Sequence, residues 1–264
     1  MTSALVQRRD YLDGQRRTII ARALLGSLAG TIPLPFVDDW AIERILGGGY
    51  RRIAESHHVD LTDDAIANLV HGQSKPPSLA EMATGGIVMR IAGRAAKKMM
   101  VALATINRAR SAARTFTAMT LFDHYCAKLH RGMALDGPTA LALREEIVRS
   151  IDNTPGALVF HPFRRGVLAA ARATVKAPLE LADLATGGRV RKLLAKQSEV
   201  HDPEHVDDLE QAMDAALANK DGFLVRAVTA VEVQLSSEVN PFLDGALDSL
   251  DRRWRARIAA GVVK

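Results

Sequence analysis

The sequence predicts an all-α protein, a multi-helix bundle of about ten helices, on three observations. Alanine and leucine abound while aromatic residues make up only 5% of the chain, a bias toward helix formers and away from sheet formers. No stretch sustains the apolar–polar alternation that a half-buried strand needs. Glycine and proline punctuation falls between stretches of helical period.

The first expected helix covers 4–30 and stops at Gly30, ahead of Pro33 and Pro35. The second, 36–57, opens on Phe36, Asp38 and Asp39 and closes on His57 and His58. Acids at the start of a helix and histidines at its end both complement its dipole. The turn Val59-Asp60-Leu61-Thr62 leads into a helix over 62–72. Ser78 and Glu81 have the spacing of a capping box, which starts a helix over 79–103. A further helix covers 106–131. The stretch GMALDGP (132–138) is the best internal boundary. It separates an N-terminal unit, 1–135, from a C-terminal half, 136–264, expected as two helical halves packed together. The C-terminal helices fall at 138–152, 163–175, 178–196, 203–219, 222–238 and 241–260. Asp202-Pro203 and Asn240-Pro241 each place a capping side chain before a proline at the first helical position. One motif echoes: LAEMATGG (79–86) recurs as LADLATGG (181–188), each followed by a base-rich helical stretch.

Composition excludes several classes. A single cysteine, Cys126, rules out an internal disulfide framework and a multi-cysteine metal site, and makes a reducing cytoplasm the default compartment. The opening MTSALVQRRDYLDGQRR mixes acids with bases and has no apolar core, unlike a secretory signal. Thr18 to Val37 is interrupted by Arg22 and broken by Gly30, Pro33 and Pro35; Gly85 to Ile106 carries Arg90, Arg94, Lys97 and Lys98. Neither is expected to span a bilayer.

The formal charge of +5 hides a polarity along the chain. From 86 to 131 the bases Arg90, Arg94, Lys97, Lys98, Arg108, Arg110, Arg114, Lys128 and Arg131 face a single acid, Asp123. From 199 to 248 the order reverses, with Asp202, Glu204, Asp207, Asp208, Glu210 and Asp214 crowded together. Such asymmetry points to a basic face for an anionic surface, or to two halves that attract each other. Arg90, Arg94, Lys97 and Lys98 share one helical face beside Ile87 and Ile91, which makes a basic amphipathic helix suited to anionic lipid or an acidic protein. An ordinary surface helix paired with the chain's own acids fits the same pattern. Duplex nucleic acid is the weaker option, because no nucleic-acid-binding motif accompanies the charge.

Chemical sites are sparse. Asp38, Asp39 and Glu43, with His57 and His58, have the residue types of a general-base or metal site, although helix-dipole complementarity accounts for all five. ILGGGYRR lacks the lysine and the preceding strand of a phosphate loop, so tight packing or flexibility is expected at Gly47–Gly49. Cys126 lies in an apolar-periodic helix, where a buried thiol is the ordinary case. His201 and His205 stand at i,i+4, a spacing that could hold a metal, although in an acid-rich helix start a solvated pair is the expectation. No catalytic residue, cofactor or metal is assigned.

Ile32, Pro33, Pro35, Phe36 and Asp38, the Arg51-Arg52-Ile53 segment and Val59-Asp60-Leu61-Thr62 together form a pattern. It resembles a bacterial helical family of unknown function associated with GTPases, as in YcjF-like inner-membrane proteins. EcsC-like proteins, with a similar Pro-x-Pro-x-x-Asp element, come second. The similarity covers about residues 20–130 and does not extend to 138–264. It implies an all-helical domain with a membrane or a separate GTPase as partner, and carries over no catalytic residue. The expected function is therefore non-enzymatic: a cytoplasmic protein acting peripherally at the inner face of the membrane, or a partner-binding module, linked to a GTPase or transporter. The alternatives are a structural protein that self-assembles through its basic and acidic halves, and an uncharacterised enzyme using Asp38, Asp39 and Glu43.

Overall fold

The computed structural model describes residues 9–29, 37–72, 94–158, 161–176, 206–219, 222–237 and 241–261. Among these the chain is all-α, with nine α-helices. In chain order they are α1 (Arg16–Ala29), α2 (Val37–Ser56), α3 (Asp63–His71), α4 (Arg94–Lys128), α5 (Gly137–Asp152), α6 (His161–Lys176), α7 (Val206–Ala218), α8 (Phe223–Ser237) and α9 (Pro241–Ala259). A short 3-10 turn, Asp10–Leu12, precedes α1.

Local chemistry sets the ends. Thr62 accepts a hydrogen bond from the Ala65 amide at 3.2 Å and caps α3, whose first turn carries Asp63 and Asp64. Asp136 caps α5 in the same way through the Thr139 amide, 2.9 Å away, and Pro138 occupies the first turn, where its missing N–H costs nothing. Two residues ahead of each cap, the chain makes a parallel two-residue ladder, β1 (Asp60–Leu61) against β2 (Ala134–Leu135). The ladder fixes α3 and α5 to start side by side, and Asn68 then donates to the Gly137 carbonyl at 3.0 Å.

Two boundaries differ from expectation. The helix expected from residue 4 starts at Arg16, because the chain turns at Asp10–Leu12 and again around Gly14. The break expected between 103 and 106 is absent, and one 35-residue helix, α4, runs from Arg94 to Lys128. Leu103-Ala104-Thr105-Ile106 holds neither glycine nor proline, so nothing there stops a helix. The capping box at Ser78, both copies of the ATGG echo and the helix expected at 178–196 lie outside the described residues.

The core is built on α4. Its buried residues Ala109, Ala112, Ala113, Phe116 and Met119 form a narrow, mostly small-residue stripe, which lets α1, α2 and α6 approach closely. Towards the C-terminal end of α4 the aromatics take over. Phe122 meets Tyr50 of α2 edge-on at 5.0 Å, and Tyr125 meets the buried Trp254 of α9 edge-on at 5.0 Å. A single cluster of buried residues runs from Leu12 to Trp254, so helices on both sides of residue 135 share one core.

The glycine run in α2 is a packing device. A Cβ at Gly47 would lie 2.9 Å from Ile66 Cγ2, and one at Gly49 would lie 2.6 Å from Arg22 Cδ and 2.8 Å from Met119 Cε. Glycine thus lets α2 lie between α3 on one side and α1 and α4 on the other. It also admits Arg22, the one charge in the apolar run of α1, which is fully buried and donates from Nη1 to the Ile45 carbonyl at 2.8 Å. Among the described residues, no helix is long and apolar enough to cross a membrane.

Candidate functional site

The structure separates the residues that the sequence offered as one site. Asp38 and Asp39 occupy the first turn of α2, where their charges favour the helix start; their side chains lie outside the described residues. Glu43 lies 3.8 Å from His71 of α3. His57 stands fourteen residues further along than Glu43, about 21 Å of helical rise. The acids and the histidines therefore do not converge. Pro33, Pro35, Phe36, Arg90, His201 and His205 lie outside the described residues. Arg94, Lys97 and Lys98 occupy the opening turns of α4 without described side chains. Cys126 is a buried free thiol, and burial pushes its pKa far up, which keeps it protonated and unreactive.

The strongest cluster of titratable groups forms instead where the N-terminal turn, α2, α4 and α9 meet. At its centre are consecutive residues of α4, Asp123 and His124. The carboxylate of Asp123 is completely buried, and its Oδ1 lies 2.6 Å from His57 Nε2. Its Oδ2 has no hydrogen-bond partner. Burial pushes the Asp123 carboxyl pKa up, against the pull of His57 and the nearby His124. His124 is engaged at both ring nitrogens. Tyr11 lies at Nδ1, and Asp251 Oδ1 of α9 lies 2.7 Å from Nε2. The network assigns the neutral tautomer: the Tyr11 hydroxyl donates to Nδ1 while Nε2–H donates to Asp251. Burial pushes the His124 pKa down and so favours that neutral form, with Asp251 opposing.

A tyrosine hydrogen-bonded to a carboxylate-oriented histidine has the connectivity of an activated nucleophile. Its electrostatics point the other way. Burial raises the Tyr11 pKa in spite of Arg9, so the phenol keeps its proton and acts as a donor. Arg9 continues the chain of contacts, at 2.8 Å from Asp248 and 3.4 Å from Asp244 on α9, and Lys128 Nζ sits 4.9 Å above the Tyr11 ring. The arrangement fastens four elements to one another. Sequence reasoning missed it because Tyr11 and Asp251 are separated from His124 by 113 and 127 positions. One signal was there: Asp123 is the single acid in a basic run, and it is the one that is buried.

Charge pairing elsewhere joins the two halves of the chain. Arg52 of α2 lies 2.7 Å from Asp214 of α7, and Arg17 of α1 lies 3.5 Å from Glu232 of α8. The almost fully buried Glu146 of α5 draws three arginines, with Arg149 at 2.7 Å, Arg257 at 2.8 Å and Arg253 at 3.5 Å. Thus Asp214, Glu232, Asp244 and Asp248 of the acid-rich half find cations in the same chain, on Arg9, Arg17 and Arg52. Those cations precede the basic run. From the run itself, Arg114 pairs with Asp152 at 3.2 Å.

Among the described residues, no group of three histidine, cysteine or acidic side chains could hold a metal ion. No protein-family model, curated protein or solved structure significantly matches this chain.

Proposed function

We propose that this chain is a non-enzymatic helical protein whose base-rich segment, Arg90, Arg94, Lys97 and Lys98, docks on an anionic surface. That surface is a membrane face, or the acidic face of a partner protein such as a separate GTPase. One observation carries the reading. The positions of Arg94, Lys97 and Lys98 belong to the same unbroken helix that forms the centre of the core. A surface bound there would be coupled directly to the packed body, with no hinge in between. The in-chain pairing of Asp214, Glu232, Asp244 and Asp248 with Arg9, Arg17 and Arg52 supports the same reading, because these four acids already have cations outside the basic run. The resemblance of the Ile32–Asp38 motif to GTPase-associated domains supports the choice of partner.

Co-sedimentation with vesicles tests it. Binding should appear with vesicles containing anionic lipid, weaken with salt, and fall on Lys97→Glu/Lys98→Glu substitution, because each basic group near such a surface contributes about 1 kcal/mol. Equal binding to neutral and anionic vesicles, or none to either, would remove the lipid version and leave the acidic protein partner.

A further inference from the structure

Away from the fastened cluster, α2, α3, α4 and α5 enclose a cleft of about 150 Å³. Leu46, Val70, Ala118, Ile147 and Val148 give it apolar walls. Tyr50 of α2, Ser111 and Arg114 of α4, and Arg144 of α5 add polar groups to its lining. A cavity of about this volume accommodates a benzene-sized body.

Arg144 is held in place before any ligand arrives. Its Nη1 donates to the Leu69 carbonyl and, at 2.6 Å, to the Val70 carbonyl, at the C-terminal end of α3. These contacts fix the guanidinium plane while using a minority of its five N–H donors. Among the described residues, no carboxylate lies within ion-pair distance of Arg144, unlike Arg9, Arg52, Arg149 and Arg257. Arg144 is thus a half-buried cation that meets carbonyls and no carboxylate. Arg114 adds a second positive charge at the cleft, where its partner Asp152 is exposed and the pair is open to exchange. Tyr50 is buried, its phenol pushed up to about 12, so it enters the cleft as a neutral hydroxyl.

We infer that this cleft binds a small aromatic or branched aliphatic carboxylic acid, with its apolar body between α2 and α5 and its carboxylate on the Arg144 guanidinium. Arginine matches a carboxylate bidentately, and a fixed guanidinium loses little freedom on pairing. A few well-placed polar groups in an apolar pocket is the usual composition of a small-molecule site. This ligand site is independent of the docking surface proposed above.

Benzoate is the probe, with benzyl alcohol and acetate as controls, titrated into the full-length protein and followed by amide chemical shifts. Benzoate should bind saturably with a Kd of about 1 mM, as expected of so small a ligand, and shift resonances of residues 46–50, 114–118 and 144–151. Benzyl alcohol lacks the charge and acetate the apolar body; each should bind about 10-fold more weakly or less. Arg144→Lys should lower benzoate affinity about 10-fold, because the bidentate match is lost while a cation remains. Ala118→Leu fills the cleft without touching the arginines and should abolish binding. Benzyl alcohol binding as well as benzoate, full binding in Ala118→Leu, or no shifts in the cleft at about 20 mM benzoate would each overturn the assignment.

Discussion

The tight packing at Gly166 gives a sharp test of the fold. Gly166 faces α8 from the middle of α6. A Cβ there would lie 2.5 Å from Val231 Cγ2, 3.2 Å from Leu24 Cδ2 and 3.3 Å from the Ala227 carbonyl oxygen. Favourable carbon–carbon contact begins at about 3.5 Å, so the overlap with Val231 is about 1 Å. Val231 is fully buried and β-branched, and in a helix its side chain has one strongly preferred rotamer, so it cannot swing away. The two helices must part. Overpacking of this kind costs about 1–3 kcal/mol, while replacing a helical glycine by alanine returns at most about 1 kcal/mol. Gly166→Ala should therefore destabilise the protein by about 1 kcal/mol in urea or thermal unfolding. A double-mutant cycle identifies the cause. Val231→Ala removes the methyl in the way, so the double variant should be more stable than the sum of the single effects by about 1 kcal/mol or more. Additivity within about 0.5 kcal/mol, or a Gly166→Ala protein more stable than the parent, would refute the reasoning.

Two further outcomes follow from the core. Trp254→Ala removes the largest fully buried side chain and its edge-on contact with Tyr125; it should cost about 3–5 kcal/mol, read from the denaturation midpoint. Asp123→Asn tests the buried carboxyl through pH. The folded-state pKa of Asp123 lies above its ordinary 3.8, so wild type gains stability when this group is protonated and loses it as pH rises through the raised value. The asparagine variant lacks that loss. Its melting temperature should rise relative to wild type as pH climbs from about 3.8 through the raised value, then run parallel above it; a relative fall over that window would show that the His57 ion pair outweighs burial.

The helical architecture was legible because helix ends are local. Thr62 with Asp63 and Asp64, Asp136 before Gly137-Pro138, and Pro241 at the start of α9 each mark a boundary within a few residues, and the structure places those ends close to expectation. The false break near residue 104 arose where the pattern changes character without any breaker residue. At Gly47–Gly49 the sequence left tight packing and flexibility open, and the contacts at Gly47 and Gly49 show the packing. The cluster around His124 and the cleft around Arg144 were not legible. Each depends on side chains brought together from four elements, and neither has a spacing that shows along the chain.

Charges followed a rule that bears on function. Arg22 is the one charge in an apolar run and Asp123 the one acid in a basic run, and both are fully buried at helix contacts. Each meets a fixed group at its helix contact: the Ile45 carbonyl accepts from Arg22, and His57 faces Asp123, whose second oxygen stays unpartnered and whose carboxyl pKa burial raises. A run of like charges has no such solution. Burying Arg90, Arg94, Lys97 and Lys98 together would need a matching set of anions, at a desolvation cost of several kcal/mol for each ion left unpaired. Asp214, Glu232, Asp244 and Asp248 already pair with Arg52, Arg17 and Arg9. On the proposed function, anions presented by another surface would meet the demand of the basic run without that cost, and a charge-reversed Lys97→Glu/Lys98→Glu protein should then keep its fold while losing its surface.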